Sequence, residues 1–273
     1  AYPGWPEAIN ELCSACGVQC LALSEVELAD NLLDKAEECK NTNQKAYYTK
    51  LAELFGHPIV EERRAFRLLM NLPFKAYVTT NFDPLLAEAA KTKGNYISYS
   101  YPDLPVSRLG ESSPSVFHIH GLARQDDQPK GDNLVLARSD FDKAYNGIVR
   151  SFLDQLLTYH DILFIGCRLK EPVMMDVFRR MHEFHGQIYD KRPERPVPER
   201  YALLSLCYKK EKIKYSIGES ELTRDENEER QEDNRFLAMK ITPKRYGPYD
   251  PYRHWEVEQI LDYLCKFADE FKA

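Results

Sequence analysis

The spacing of apolar positions changes near residue 73, and the type of element that it predicts changes with it. Before that point apolar residues recur every three or four positions, which is typical of amphipathic helices. We therefore predict a helical block over residues 6–72. After it, short apolar or β-branched runs alternate with helical patterns, and this order indicates an α/β fold.

Seven short runs are predicted to be strands. They are KAYVTT (75–80), NYISYSY (95–101), SVFHIHG (115–121), the start of NLVLARSDFDKAY (133–145), DILFIG (161–166), RYALLSLC (200–207) and FLAMKI (236–241). Predicted helices separate them, one capped by Asp83 and one by Ser139. We expect a Rossmann-like, doubly wound parallel sheet with helices on both faces, and a single domain (1–273) in which residues 73–273 form the α/β part.

Charge and cysteine usage narrow the class of protein. The net charge of −6 argues against a general nucleic-acid binder, which needs a surplus of Lys and Arg. Residues 209–233 are so rich in charge that we interpret them as an exposed helix or a mobile insertion. The seven cysteines form no secreted disulfide pattern, so we expect a cytoplasmic protein. The longest apolar runs are too short to cross a bilayer.

Polar residues follow three of the predicted strands directly. Asn81 and Asp83 follow the first, His120 and Gly121 end another, and Gly166 with Cys167 ends DILFIG. The carboxyl ends of parallel strands meet at one edge of a sheet, where ligands bind. The sequence therefore predicts a site at this edge.

Histidine is the side chain best suited to move a proton near neutral pH, and this makes His120 the candidate base. Gly121 would let another backbone or a ligand approach closely. We expect His120 to be an exposed rim group whose loss costs little stability, and we favour a purely structural role for His118. Asn81 offers both a donor and an acceptor. The CSAC run (13–16) is interpreted as core packing rather than zinc binding.

Three motifs together resemble those of the sirtuin superfamily, and more closely those of its zinc-free, bacterial sirtuin-like (SIR2-like) branch. They are VTTNFD (78–83), HIHG (118–121) and DILFIGCRLKEPVM (161–174), in the same order and with similar spacing. The resemblance covers the chain from about residue 3 to the last helix. It implies an NAD-binding Rossmann-like fold in which nicotinamide is cleaved from the ribose, with no metal taking part.

The resemblance also implies roles for individual residues. Asn81 would hold the ribose or the attacking water, Asp83 would lie near the ribose and nicotinamide, and His120 would be the general base. The remaining residues expected to contact NAD are Thr80, Gly121, Gly166, Cys167 and Arg168.

The chain departs from the family pattern at three points. Residues 122–138 contain no cysteine, so the four-cysteine zinc module of protein-deacylating sirtuins is absent there. Arg168 stands where the family often has serine. The Gly-rich loop that cradles the pyrophosphate is expected upstream of Ala1, at a helix N-terminus.

The leading hypothesis is an NAD⁺ glycohydrolase that depletes NAD in bacterial anti-phage defence. The resemblance implies a homo-oligomer or a partner ATPase or nucleic-acid sensor, with nucleic acid contacted only through the partner and no membrane contact. The helical block and residues 209–233 are the expected contact surfaces. One alternative is a protein deacylase or ADP-ribosyltransferase, and another is a catalytically silent nucleotide-binding scaffold. Retention of Asn81, Asp83 and His120 together argues against the scaffold.

Overall fold

A computed structural model describes most of the chain. The described residues are 3–20, 29–57, 64–94, 96–111, 114–123, 133–167, 169, 172–189, 198–205, 207, 224–247 and 255–270. Within these ranges, helices alternate with strands and all strand pairs are parallel, which confirms the α/β, Rossmann-like class. The chain divides into two compact units, one of residues 1–155 with 265–273 and one of residues 156–264. A single domain stays a prediction.

The first unit begins with the predicted helical block. Its helices are α1 (Trp5–Cys16), α2 (Ala29–Thr42), α3 (Gln44–Phe55) and α4 (Arg64–Asn71), while residues 21–28 and 58–63 lie outside the described residues. Gly17, at φ 73°, ends α1, and the Asn43 side chain accepts from the Ala46 N–H (3.1 Å) to begin α3. The buried faces of α1, α2 and α3 share one apolar core, which includes Cys13 and Cys16. The two cysteines of the CSAC run therefore pack in the core, as predicted.

A three-stranded parallel sheet follows the block. Its strands are β1 (Ala76–Thr79), β2 (Ile97–Ser100) and β3 (Ser115–His118), in the order β1-β3-β2, and α5 (Leu85–Lys91) follows β1. All four residues of the central strand β3 are buried. Thr79 and His118 are opposite each other in the register, so β1 and β3 end side by side. This pairing sets the position of the residues that follow each strand.

Two helices follow in the chain, α6 (Arg138–Tyr145) and α7 (Ile148–Tyr159), and the last residues of α7, from 156 on, belong to the second unit. The strand predicted at the start of NLVLARSDFDKAY is wrong, because residues 133–137 form no ladder with another described strand. Val135 N–H donates to the His120 carbonyl (2.8 Å), and the Ala137 carbonyl accepts from N–H groups of α6. The Ser139 cap is also wrong. Asp140 accepts from the Ala137 N–H (3.1 Å), and the Ser139 hydroxyl instead donates to Glu37 of α2 (2.7 Å).

The second unit has its own three-stranded parallel sheet, in the order β4-β5-β6. Its elements are β4 (Ile162–Ile165), α8 (Pro172–Tyr189), β5 (Arg200–Ser205), α9 (Glu226–Ala238), β6 (Thr242–Tyr246) and α10 (Trp255–Glu270), whose last residues belong to the first unit. The predicted strand FLAMKI is wrong, since Phe236 lies in α9 and the strand begins at Thr242. Phe236 and Met239 are both buried, and a spacing of three is typical of a helix end rather than of strand alternation.

Part of the charged stretch 209–233 is ordered by ion pairs. Residues 208–223 lie outside the described residues, but 226–233 form the first half of α9. Glu229 and Glu232 are buried there, and they pair with Arg224 (2.5 Å) and Arg245 (3.1 Å). The predicted exposed helix is therefore confirmed as a helix over 226–233, where five of eight residues are exposed, but Glu229 and Glu232 are buried and Glu232 pairs with Arg245 of β6. Across the described ranges, no helix has both the length and the apolar character that crossing a bilayer requires.

Candidate active site

The chain turns sharply after β1, and this turn is anchored in the core. Phe82 is buried and packs on Phe55 of α3, with ring centroids 5.5 Å apart. Its carbonyl accepts from the Ala123 N–H (2.8 Å), which ties the turn after β1 to the segment after β3. The polar residues on either side of Phe82 are therefore held in place by an apolar anchor.

Asn81 lies on the exposed side of this turn. Its backbone N–H donates to the Thr79 hydroxyl (3.0 Å), and its carbonyl faces Nδ1 of His118 (3.5 Å). These bonds use the backbone of Asn81 and leave its side chain to project from an exposed residue. Thr80 is exposed as well. An amide and a hydroxyl at a strand end provide the donors and acceptors that sugar hydroxyls need.

Asp83 lies on the buried side of the same turn, one residue before the N-cap of α5, which is Pro84. It is only 8% exposed, and its Oδ1 accepts from the Leu85 N–H (3.1 Å) at the first residue of the helix. The predicted N-cap position is therefore wrong by one residue, although the Asp83 side chain does satisfy the first helical N–H. The role near the ribose and nicotinamide stays a prediction.

His120 follows β3 in a turn and is buried. Only 5% of the residue is exposed, so the expectation of an exposed rim group is wrong. The reason is that α6 covers it. Tyr145 Oη lies 2.7 Å from Nε2, and the edge of the imidazole meets Phe141 with centroids 5.0 Å apart. His118, the last residue of β3, is also fully buried.

Burial, more than hydrogen bonding, determines the protonation of His120. Burial lowers the pKa of His120 from its ordinary value of 6.5 to about 3, and a hydrogen bond to the Thr80 backbone, which favours the charged ring, opposes this only in part. A hydrogen bond that favours the charged ring is one that the ring donates, so its acceptor is the Thr80 carbonyl. With a pKa of about 3, the ring is neutral near pH 7. A neutral imidazole is the form that can accept a proton.

Position 121 requires glycine because another part of the backbone approaches it closely. Its φ is +95°, and a Cβ added there would lie 1.9 Å from the Asn133 carbonyl oxygen. The predicted close approach is therefore made by the chain's own backbone. The contact holds residues 133–135 against the His120 turn, and a role of Gly121 in contacting NAD stays a prediction.

The third predicted strand end belongs to the second unit. Gly166 follows β4 at φ +70°, is exposed, and has no atom within 4 Å of an added Cβ. Cys167 is half-buried, and Arg168 lies outside the described residues. An open glycine at a strand end suits a ligand that approaches the backbone. That these residues share one site with His120 stays a prediction.

Tyr145 is the site residue that the sequence did not reveal. It is 25 positions from His120 and contacts it only through the packing of α6 on the turn after β3. Phe141 and Tyr145 are four residues apart and therefore share a helix face, but this pattern is equally typical of a core. For metals, the described ranges contain no group of three or more His, Cys, Asp or Glu side chains suited to hold an ion.

Comparison with known proteins adds one match. A family model described as SIR2-like domain matches residues 75–216, slightly more than half of the chain. The matched segment begins just before β1 and includes Asn81, Asp83, His120 and Gly166. The comparison with curated proteins gave no match.

Proposed function

The chain belongs to the SIR2-like family, and on that premise we propose that it is an NAD⁺ glycohydrolase, which releases nicotinamide and leaves ADP-ribose. Family membership indicates NAD-dependent activity in general, and the hydrolytic reaction is the proposal. The observation that carries it is that β1 and β3 end side by side within the matched segment, where the Phe82 carbonyl accepts from the Ala123 N–H (2.8 Å) and so holds the Asn81 and His120 turns together.

The donors and acceptors at these strand ends suit the ribose side of NAD. Asn81 and Thr80 are exposed and offer an amide and a hydroxyl. Beside them, His120 provides a neutral ring nitrogen in a dry environment, where a proton acceptor is not solvated by water. When NAD is bound, it supplies nicotinamide as a neutral leaving group. In the proposed reaction Asn81 orients the ribose or the attacking water, and His120 accepts a proton.

Water is proposed as the acceptor because the chain lacks a feature of the protein-modifying enzymes. Residues 122–138 contain no cysteine, and the resemblance places there the zinc module that frames a peptide groove in deacylating sirtuins. Without that frame, a protein substrate has less to bind. Hydrolysis needs only a water molecule that the exposed Asn81 can orient.

Asn81→Ala is the sharpest test of this reaction. We expect the variant to lose about a hundredfold or more of nicotinamide release, because removing one oriented polar group from a reaction centre costs that much. Asn81 is exposed, so the free energy of unfolding should change by less than about 0.5 kcal/mol. The measurement is nicotinamide released from NAD⁺ over time, together with the melting temperature.

Asn41→Ala is the matched control, since Asn41 is an exposed asparagine of α2 that donates to Glu37 (3.2 Å). Equal rates in the two variants would contradict a role for Asn81. Release by the unaltered protein only when an acylated or nucleophilic acceptor is present would favour a transferase. NAD binding without release would favour the silent scaffold.

We also propose that NAD depletion by this chain serves bacterial anti-phage defence. The support is the resemblance of its three motifs to zinc-free SIR2-like proteins with that role. The proposal includes a cytoplasmic location, a homo-oligomer, and a partner ATPase or nucleic-acid sensor that contacts the helical block or residues 209–233.

The defence role predicts a fall in cellular NAD on infection. Bacteria that express the full-length protein with its native partners should lose NAD after phage addition, and cells that express Asn81→Ala should not. NAD and phage yield are measured in parallel over one infection cycle. If NAD stays level in infected cells while the purified enzyme is active, the defence role is wrong and the enzymatic one stands.

A further inference from the structure

Both ring nitrogens of His120 have a hydrogen-bond partner within the chain itself. The ring donates to the Thr80 carbonyl at one nitrogen, and Nε2 lies 2.7 Å from Tyr145 Oη. The residue is 5% exposed, so water has little access to either nitrogen. We propose that Tyr145 is a positioning residue for His120, one that donates to Nε2 and holds this nitrogen as the hydrogen-bond acceptor of a neutral ring.

The direction of the Tyr145 bond follows from the bond on the other side. A carbonyl oxygen only accepts, so the ring nitrogen that faces Thr80 carries the hydrogen. A neutral imidazole has one hydrogen, and Nε2 is therefore left with its lone pair. The Tyr145 hydroxyl must then be the donor. Together the two bonds select one tautomer, which is the usual way in which a catalytic histidine is oriented.

The surroundings of Tyr145 hold its hydroxyl in place. The residue is 4% exposed, and its ring is stacked on Phe141, with centroids 5.6 Å apart and planes inclined by 11°. The start of α6 is tied to α2 by the Lys40–Asp140 ion pair (2.5 Å), in which both side chains are mostly buried. Tyr145 is the last residue of this anchored helix, and its stacking on Phe141 holds the hydroxyl near Nε2.

The inference rests on the proposed function only in taking His120 as the base, and Tyr145→Phe tests it with a readout besides activity. The variant keeps the stacked ring and removes Oη. We expect long-range ¹H–¹⁵N spectra of the unaltered protein near pH 7 to show neutral His120 with Nε2 unprotonated. In Tyr145→Phe the Nε2 signal should shift, and the acid midpoint of His120 should rise by about one pH unit, because a donor to the neutral ring is lost.

Nicotinamide release is measured alongside the spectra. We expect kcat/KM to fall about tenfold in Tyr145→Phe, the size of a single hydrogen bond of about 1.4 kcal/mol. Tyr47→Phe is the matched control, since Tyr47 is a fully buried tyrosine of α3 whose hydroxyl has no hydrogen-bond partner within the described part of the chain. That variant should leave both the His120 signals and the rate unchanged.

Each outcome decides one of the two proposals. A protonated Nε2 in the unaltered protein overturns the positioning role, whether or not the protein is active. A rate loss in Tyr145→Phe with unmoved His120 signals reduces Tyr145 to packing and also overturns it. The predicted spectra in a protein that never releases nicotinamide keep the positioning role and remove the glycohydrolase.

Discussion

Gly121→Ala is expected to lower the free energy of unfolding of the first unit by about 3 kcal/mol or more, from backbone strain together with overpacking. An added Cβ would lie 1.9 Å from the Asn133 carbonyl oxygen and 2.9 Å from Leu134 Cδ2. A carbonyl in a packed segment cannot move away as the end of a flexible side chain can. The φ of +95° is in addition unfavourable for alanine.

Gly94→Ala separates backbone strain from overpacking, because Gly94 also has a positive φ but has space for a Cβ. Both glycines belong to the first unit, so their effects on its stability can be compared directly. Gly94 has a φ of +73° but no atom within 4 Å of an added Cβ, so its substitution costs only the backbone term of about 1 kcal/mol. Urea unfolding of the three proteins measures the difference. If Gly121→Ala loses no more stability than Gly94→Ala, the close approach of Asn133 does not constrain the His120 turn.

His120→Ala is expected to lose nicotinamide release and also about 3 kcal/mol of stability near pH 7, from an emptied site and unmade hydrogen bonds. The imidazole is 5% exposed, and the Tyr145 hydroxyl and the Thr80 carbonyl would both lose it as a partner. This differs from the cost expected for an exposed group. A loss of activity in His120→Ala must therefore be compared with the measured stability of that variant. It must also be compared with the activity of Asn81→Ala, in which the substituted residue is exposed.

The pH dependence of that stability difference identifies its origin. The pKa of His120 is about 3 in the folded protein and near 6.5 when unfolded. Between these values the unfolded chain binds a proton that the folded chain does not, so the stability that His120 contributes is complete above 6.5 and is lost as the pH falls towards 3. The loss approaches about 1.4 kcal/mol per pH unit well below pH 6.5.

Unfolding of both proteins at several pH values between 7 and 4 measures this. The gap between the unaltered protein and His120→Ala should close as the pH falls, since alanine carries no titrating group. Carboxylates that titrate in both proteins cancel in the difference. A gap that is constant with pH would mean that His120 has the same pKa in the folded and unfolded proteins, and would contradict the neutral buried ring.

Local patterns predicted much of the fold and the strand ends of the site. The period of the apolar positions indicated α1 to α4 and α10, and the strands β1 to β5, each within a few residues. The predicted strand FLAMKI failed because its apolar residues finish α9, and a short apolar run has the same composition at a helix end as in a strand. The start of NLVLARSDFDKAY failed because its backbone bonds to the His120 turn rather than to a strand.

The sequence by itself determined the α/β class, the polar residues that follow the strands, and the resemblance to the SIR2-like family, which the family match confirms. These depend on periodicity and on residues close together in the chain. Only the tertiary structure decided that His120 is buried and neutral, that Tyr145 faces its Nε2, and that Gly121 is met by the Asn133 backbone. Burial and hydrogen bonding depend on which distant segments pack together, and no spacing within one segment records that.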